Sequence, residues 1–243
     1  MTAVFVHGVP ETAAVWEPLV SHLERDDVAL LWMPGFGCPI PDGFEPTMHR
    51  YAEWLASELS SFDEVDLVTH DWGALLALKV LAANPPNIRS WVSDVGDLDA
   101  DFRWHDAART WQTPGEGEAM IDGMVGASQA DRVALLVSIG VPEPDAPAMA
   151  AAFDATMGAA ILTLYRSAVD IGTEWGPGID DIASRGLVIA SMQDPFRAVD
   201  RARRLARRTG ADIVELPTSG HFWMLDQPER SAQILTEHWR RGD

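Results

Sequence analysis

Val68-Thr69-His70-Asp71-Trp72-Gly73-Ala74 follows a short apolar run, Val65 to Val68, and opens into a helical pattern from Ala74 to Ala83. Strand, sharp turn and helix in this order place Asp71 at the apex, the layout of a nucleophile elbow, in which one side chain is thrust above a sheet. The usual occupant of such an apex is Ser in a G-x-S-x-G frame. Here it is a carboxylate, which can serve as a covalent nucleophile. A carboxylate suits attack on an sp³ carbon, giving an alkyl ester that must then be hydrolysed. Attack on an acyl carbon would give an anhydride, so ester or lactone substrates are disfavoured. Thr69 stands where the first Gly of the frame would be, and its β-branched side chain is expected to be tolerable where strand and helix cross closely.

Outward from the elbow, strand and helix patterns alternate. Ala3–Val6, Val28–Met33, Val65–Val68, Ser90–Val95, Leu187–Ser191 and Asp212–Leu216 read as short apolar strands. Between them lie the amphipathic stretches Ala13–Glu24, Met48–Ser61, Gly73–Ala83, Ala198–Thr209 and Pro228–Arg240. Apolar strands alternating with helices predict a parallel sheet covered on both faces. The stretch 98–180 breaks the rhythm. Its apolar spacing is helical (Met149, Ala152, Phe153, Met157, Ala160), and it is longer than a single crossover requires. We therefore expect a core domain over residues 1–97 and 181–243, with residues 98–180 forming a Met- and Trp-rich helical lid.

At 243 residues with 47% hydrophobic content, the chain can bury one large α/β core. Its net charge of −19 argues against nucleic acid and anionic membranes as partners. Cys38 is the only cysteine, so no intrachain disulfide can form, and the first residues lack the pattern of a signal peptide. A cytoplasmic protein, monomeric or homodimeric, is expected. No Cys/His/carboxylate set has metal-ligand spacing, so neither metal nor cofactor is expected.

Three more segments fall at predicted strand ends. His7-Gly8-Val9-Pro10 follows the first strand, where a Gly lets the backbone turn tightly. The N–H groups of Val9 and Trp72 could then form an oxyanion hole. Asp194-Pro195 follows the fifth strand; Asp194 can orient a histidine or cap a helix with Pro at N1. His221, after Gly220, follows the last strand. The chain order of nucleophile, acid and His, each at a strand end, is the order of α/β-hydrolases.

His7-Gly8-x-Pro10, Met33-Pro34-Gly35-Phe36-Gly37, His70-Asp71-Trp72-Gly73, Asp194-Pro195 and Gly220-His221-Phe222 together resemble the α/β-hydrolase fold family, in its branch of epoxide hydrolases and haloalkane dehalogenases. The resemblance spans nearly the whole chain, and Asp-Trp at the elbow is its most specific part. It implies Asp71 as nucleophile, His221 as base and Asp194 as the acid that orients it. Asp94 and Asp97 stand where some dehalogenases carry the acid instead. Only six residues precede His7, so the usual N-terminal strand pair is expected to be missing, leaving about six parallel strands.

The leaving group separates two activities. An epoxide needs a proton donor, and Tyr165 in Leu164-Tyr165-Arg166 is similar to the lid Tyr of epoxide hydrolases, although a second lid Tyr is absent. A halide needs N–H donors. Trp72 supplies one, and Trp104, Trp111 or Trp175 could supply another, unless they only pack. Val9 closes the alternative Asn route of dehalogenases. Trp72 also departs from the Arg that follows the nucleophile in fluoroacetate-type dehalogenases. His7, Pro10, Trp104, Trp111 and Phe222 are expected around an apolar small-molecule substrate. The resemblance thus implies epoxide hydrolysis first, haloalkane dehalogenation second, and a non-catalytic binding protein on the same fold third.

Overall fold

The structure, a computed structural model, describes residues 1–94 and 98–241. The chain runs β1 (Thr2–Val6), α1 (Glu17–Val20), β2 (Val28–Leu31), α2 (Met48–Ser60), β3 (Val65–Thr69), α3 (Trp72–Leu81) and β4 (Ile88–Ser93). Six helices follow: α4 (Asp106–Gln112), α5 (Glu116–Gly126), α6 (Gln129–Ser138), α7 (Ala146–Ala152), α8 (Ala155–Ser167) and α9 (Ile171–Trp175). The chain then completes the core with β5 (Arg185–Ser191), α10 (Val199–Thr209), β6 (Asp212–Leu216), α11 (Trp223–Asp226) and α12 (Pro228–Arg240). The strands form one parallel sheet in the order β2-β1-β3-β4-β5-β6. Among the described residues, no single helix is long and apolar enough to cross a membrane.

Both faces of the sheet are covered because its strands are apolar at both parities. On β1, Val4 and Val6 enter one core cluster while Ala3 and Phe5 enter the other; β5 divides likewise into Val188 and Ala190 against Leu187 and Ile189. The first cluster takes in α2, α3 and α10, and the second Trp16, α11 and α12. The inserted helices divide along the same line. Trp111, Ile121, Met157 and Tyr165, on α4, α5 and α8, join the first cluster. Leu136, Val141, Ala146 and Ala150, on and around α6 and α7, join the second.

One expected helix is corrected. The amphipathic stretch over Ala13–Glu24 is only a short 3₁₀ turn, Ala13–Trp16, followed by the four residues of α1. Thr69 is accommodated: its hydroxyl donates to the Val92 carbonyl at 2.8 Å. The close crossing of helix and strand lies at Gly73, where a Cβ would sit 2.5 Å from the Val6 carbonyl oxygen. Val95, at the end of the expected fourth strand, lies outside the described residues.

The Arg-rich face of α10 is tied down by acids. Arg208 pairs with Asp99 and Asp180, and Arg204 with Asp99 and Asp101, which fastens α10 to both ends of the helical insertion. Inside the sheet, Asp66 is fully buried on β3 and accepts from Arg89 at 2.7 and 3.0 Å and from the Ser90 hydroxyl. Removing one partner of such a buried pair strands the other charge. Asp66→Ala is therefore expected to cost about 3 kcal/mol of stability, read by chemical denaturation, with the site chemistry intact in the folded fraction.

Candidate active site

Five strand ends deliver the site. The loops after β1, β3, β4, β5 and β6 carry Glu11, Asp71, Asp94, Asp194 and His221. Asp71 is the hinge between β3 and α3, with φ 48° and ψ −118°. Backbone of this kind is strained for a residue with a Cβ, costing on the order of 1–3 kcal/mol, and persists only where its surroundings hold it. They do so here. The Asp71 N–H donates to Asp94 Oδ1 at 3.1 Å, its carbonyl accepts from Ala74 and Leu75 in the first turn of α3, and its Oδ1 accepts from the Val9 N–H at 2.9 Å. Gly8 makes room for this, since a Cβ there would lie 2.5 Å from Asp71 Cβ.

The Val9 N–H thus grips one of the two carboxylate oxygens of Asp71. The Trp72 N–H, the other expected donor, opens α3, where helix N–H groups have no intrahelical acceptor. Burial raises the Asp71 carboxyl above its ordinary range, against the opposing charges of His221 and His70 and the Val9 bond.

His221 Nδ1 faces Asp194 Oδ2 at 3.0 Å, so with Nδ1–H donating, Nε2 keeps its lone pair. The other oxygen of Asp194 accepts from the Phe196 N–H at 2.8 Å, closing a local turn; α10 starts only at Val199, so Asp194 orients the histidine and caps no helix. Asp94 is engaged elsewhere: it accepts from His70 Nδ1, the Trp223 indole N–H and the Asp71 N–H. It braces the elbow, and its carboxyl is held at about 2 because the neighbouring His70 charge and these donors outweigh burial. Asp97, the other alternative acid, lies outside the described residues.

Directly before Asp71 in the chain, His70 lies between two carboxylates, Asp94 at Nδ1 and Glu11 Oε1 at 3.0 Å from Nε2. Burial works against an imidazolium, but the Asp94 and Glu11 charges raise His70 well above its usual value. The His70 and His221 rings lie 4.6 Å apart. From the sequence alone, His70 is expected to support the turn or to line the site with its ring, and Glu11 has no assigned role. The available signal is a carboxylate directly after His-Gly-x-Pro, a loop already expected to face Asp71.

A cavity of about 160 Å³ opens over Asp71 and His221. Pro10, Trp111, Tyr165 and Phe222 line it as expected, together with His105, Met120, Met124, Leu136 and Phe196, which sequence reasoning missed. Three expected contributors lie elsewhere. His7 is turned away: Nδ1 donates to the Gly8 carbonyl at 2.8 Å, Nε2 accepts from the Met33 N–H at 3.1 Å, and burial lowers its pKa to about 4, leaving it neutral. Trp104 stacks on Trp72 behind Tyr165, and its indole N–H is taken by the Ala168 carbonyl at 2.8 Å. Trp175 packs near His49 and Lys79, outside this cavity. The indole N–H groups of Trp72 and Trp111 have no hydrogen-bond partner among the described residues. Tyr165 is buried, edge-on to Trp72 and against Trp104 and Trp111. Burial and the Asp71 charge hold its hydroxyl well above the ordinary phenol range, so it keeps its proton. His238, which by sequence alone reads as a helix-surface or lid residue, is instead buried on α12, and burial lowers it to about 4.

An ordered parallel sheet with an elbow after its third strand and a histidine after its last is an arrangement shared by a large class of hydrolases, and the chain belongs to it. The α/β-hydrolase family model matches residues 3–234. No curated protein sequence matches the chain. Among solved structures, a haloalkane dehalogenase from Bradyrhizobium elkanii is similar with a TM-score of 0.76 at 20% identity, covering 99% of this chain and 91% of that one. A thermophilic esterase from Thermogutta terrifontis reaches 0.79 at 16% identity over 100% and 90%. The 2-hydroxy-6-oxo-6-phenylhexa-2,4-dienoate hydrolase from Rhodococcus sp. strain RHA1 reaches 0.78 at 17% over 98% and 90%. At these identities the likeness is one of fold.

Proposed function

We propose that the protein is a hydrolase working through a covalent alkyl ester on Asp71, and that it opens a small apolar epoxide to a diol. The observation that carries this reading is the meeting of the elbow carboxylate of Asp71, a His221 ring backed by Asp194 and a Tyr165 hydroxyl that keeps its proton around one apolar cavity. The free Asp71 oxygen attacks an epoxide carbon held in line. The C–O bond breaks, and Tyr165 gives its proton to the departing oxygen. His221 then takes a proton from water, the hydroxide adds to the Asp71 carbonyl carbon, and the charge that develops on Oδ1 falls on the Val9 N–H. Collapse expels the alkoxide, which takes the proton of the newly formed Asp71 carboxyl group to complete the diol and leave the carboxylate. The proton held on His221 returns by way of solvent to the Tyr165 oxygen, and until then Asp194 stabilises the imidazolium without itself becoming protonated. The cavity is smaller than the ~300–1,000 Å³ of drug-sized pockets, which favours substrates of few heavy atoms.

Tyr165→Phe tests the donor. Ring opening is expected to slow by about 10²–10⁴, the usual worth of general acid catalysis, measured as the pre-steady-state rate of ester formation. An unchanged rate removes Tyr165 from the reaction.

The pH profile tests the base. In the resting site, burial and the His70 charge lower His221, but the Asp194 bond and the Asp71 charge prevail, and its pKa stands above the ordinary histidine value. Base capacity is thus lost as pH falls through that raised value. Once Asp71 is esterified its negative charge is gone, and one raising influence goes with it. The acid limb of single-turnover ester decay is therefore expected at lower pH than the NMR titration of His221 in the free protein. Coincident midpoints would contradict the placing of Asp71 and His221 as nucleophile and base.

A second reading, haloalkane dehalogenation, draws on the two unpartnered indole N–H groups of Trp72 and Trp111, the donor type a departing halide needs. Under that reading Tyr165→Phe leaves turnover intact and Trp111→Phe depresses it.

A further inference from the structure

Glu11, His70 and His221 come from three loops, and one ring nitrogen of each histidine and a carboxylate oxygen of Glu11 all lie within 4.8 Å of one another. All three residues are buried. Two further observations set this group apart from an incidental cluster. Each histidine has its Nδ1 backed by a carboxylate, Asp94 behind His70 and Asp194 behind His221, which turns both Nε2 atoms inward. That carboxylate–histidine arrangement is the one that orients and strengthens histidine ligands of metals. In addition, Glu11 Oε1 and His70 Nε2 face each other at 3.0 Å as a buried ion pair, so a carboxylate oxygen and an imidazole nitrogen already meet at the centre of the group.

We propose that Glu11, His70 and His221 form a binding site for a divalent transition-metal ion such as Zn²⁺. Two imidazole nitrogens and one carboxylate oxygen are ligands that Zn²⁺ accepts, with bonds of about 2.0–2.2 Å and a fourth position left open. Tetrahedral ligands at that range stand about 3.4 Å apart, so the widest pair must close by roughly 1.4 Å. That closure falls on His221, which sits in the loop between β6 and α11. The ion enters through the cavity, which Glu11 and His221 line, and its open position faces Asp71. On binding, the proton held between Glu11 and His70 leaves to solvent, and two nitrogen lone pairs and one oxygen lone pair are donated to the metal. The ion also takes the lone pair that His221 needs to activate water, so under the proposed reaction Zn²⁺ blocks ester hydrolysis. The binding itself does not rest on that reaction.

The test is equilibrium dialysis of the chelator-treated full-length chain against Zn²⁺, with Co²⁺ substitution read by visible absorption. One tight ion per chain and the intense bands of a four-coordinate Co²⁺ site are expected. Glu11→Gln and His221→Gln should each weaken binding at least tenfold, and Asp194→Asn, which touches no metal, by about 10–100-fold. His49→Gln, at the exposed His49–Glu174 pair, should leave the tight site unchanged. Near-UV circular dichroism establishes that each variant is folded, and Asp194→Asn, whose carboxylate lies at the back of the histidine, serves if the buried variants do not fold. No binding at millimolar Zn²⁺, or equal affinity in wild type and the folded site variants, overturns the proposal. A failed hydrolase assay with an intact Co²⁺ spectrum counts against the proposed reaction alone.

Discussion

His221→Gln is expected to stop the cycle halfway, with the substrate still attached to Asp71. Gln keeps a polar side chain of similar reach, but it has no basic nitrogen to take a proton from water. Attack by the carboxylate requires no base, so the first half-reaction continues while the second loses its driver. Intact-mass spectrometry after mixing with small apolar epoxides should show the protein heavier by the whole epoxide, in one copy per chain. Turnover should fall by about four to six orders of magnitude, the loss seen when a member of a catalytic group is removed. With haloalkanes, an adduct equal to the alkyl group alone would transfer the assignment to the second reading. A folded variant that forms no adduct from either panel would exclude covalent catalysis on those substrates.

Asp71→Ala is expected to remove both half-reactions, again by about 10⁴–10⁶ in rate, and no adduct should form. Stability should behave differently. The Asp71 carboxyl is raised by burial, so its ionised form is less favourable in the fold than in the unfolded chain. Deleting it relieves that penalty and leaves Ala in the same strained backbone. The melting temperature is expected to hold or rise while activity disappears, as for a site whose chemistry is kept at the expense of stability. A variant that loses activity and stability together would mark Asp71 as a structural residue of the turn. Retained activity would remove it from the reaction.

The elbow, the strand order and the histidine after the last strand are legible because local rules fix them. Apolar runs set the strands, and the chain order at their ends sets what converges. The choice between Asp194 and Asp94 is not local. Both follow a strand, and only the fold decides that Asp94 is consumed by His70, Trp223 and the Asp71 N–H while Asp194 is left for His221. The tryptophans show the same limit. Trp104 and Trp111 lie seven residues apart, yet the end of α8 offers Trp104 a carbonyl and leaves Trp111 free. His7 sits in the loop expected to face the substrate, but the Met33 N–H, brought alongside by β2, turns its ring the other way. Glu11 was missed because its role depends on His70, fifty-nine positions along the chain and adjacent only after folding.

The division of the inserted helices between the two faces of the sheet bears on how substrate arrives. Tyr165 and Trp111 are rooted with α2 and α3, while α6 and α7 root against Trp16 and the helices of the opposite face. The cavity lies along the seam, with Met120 and Met124 on one bank and Leu135 and Leu136 on the other. Under the proposed reaction, a parting of that seam at the α6–α7 side would admit a molecule while Tyr165 stays packed with α2 and α3. Traffic and chemistry are then under separate control. Changes to α6 and α7 would retune how quickly molecules come and go, and evolution could widen the doorway while the barrier to bond breaking stays as it was.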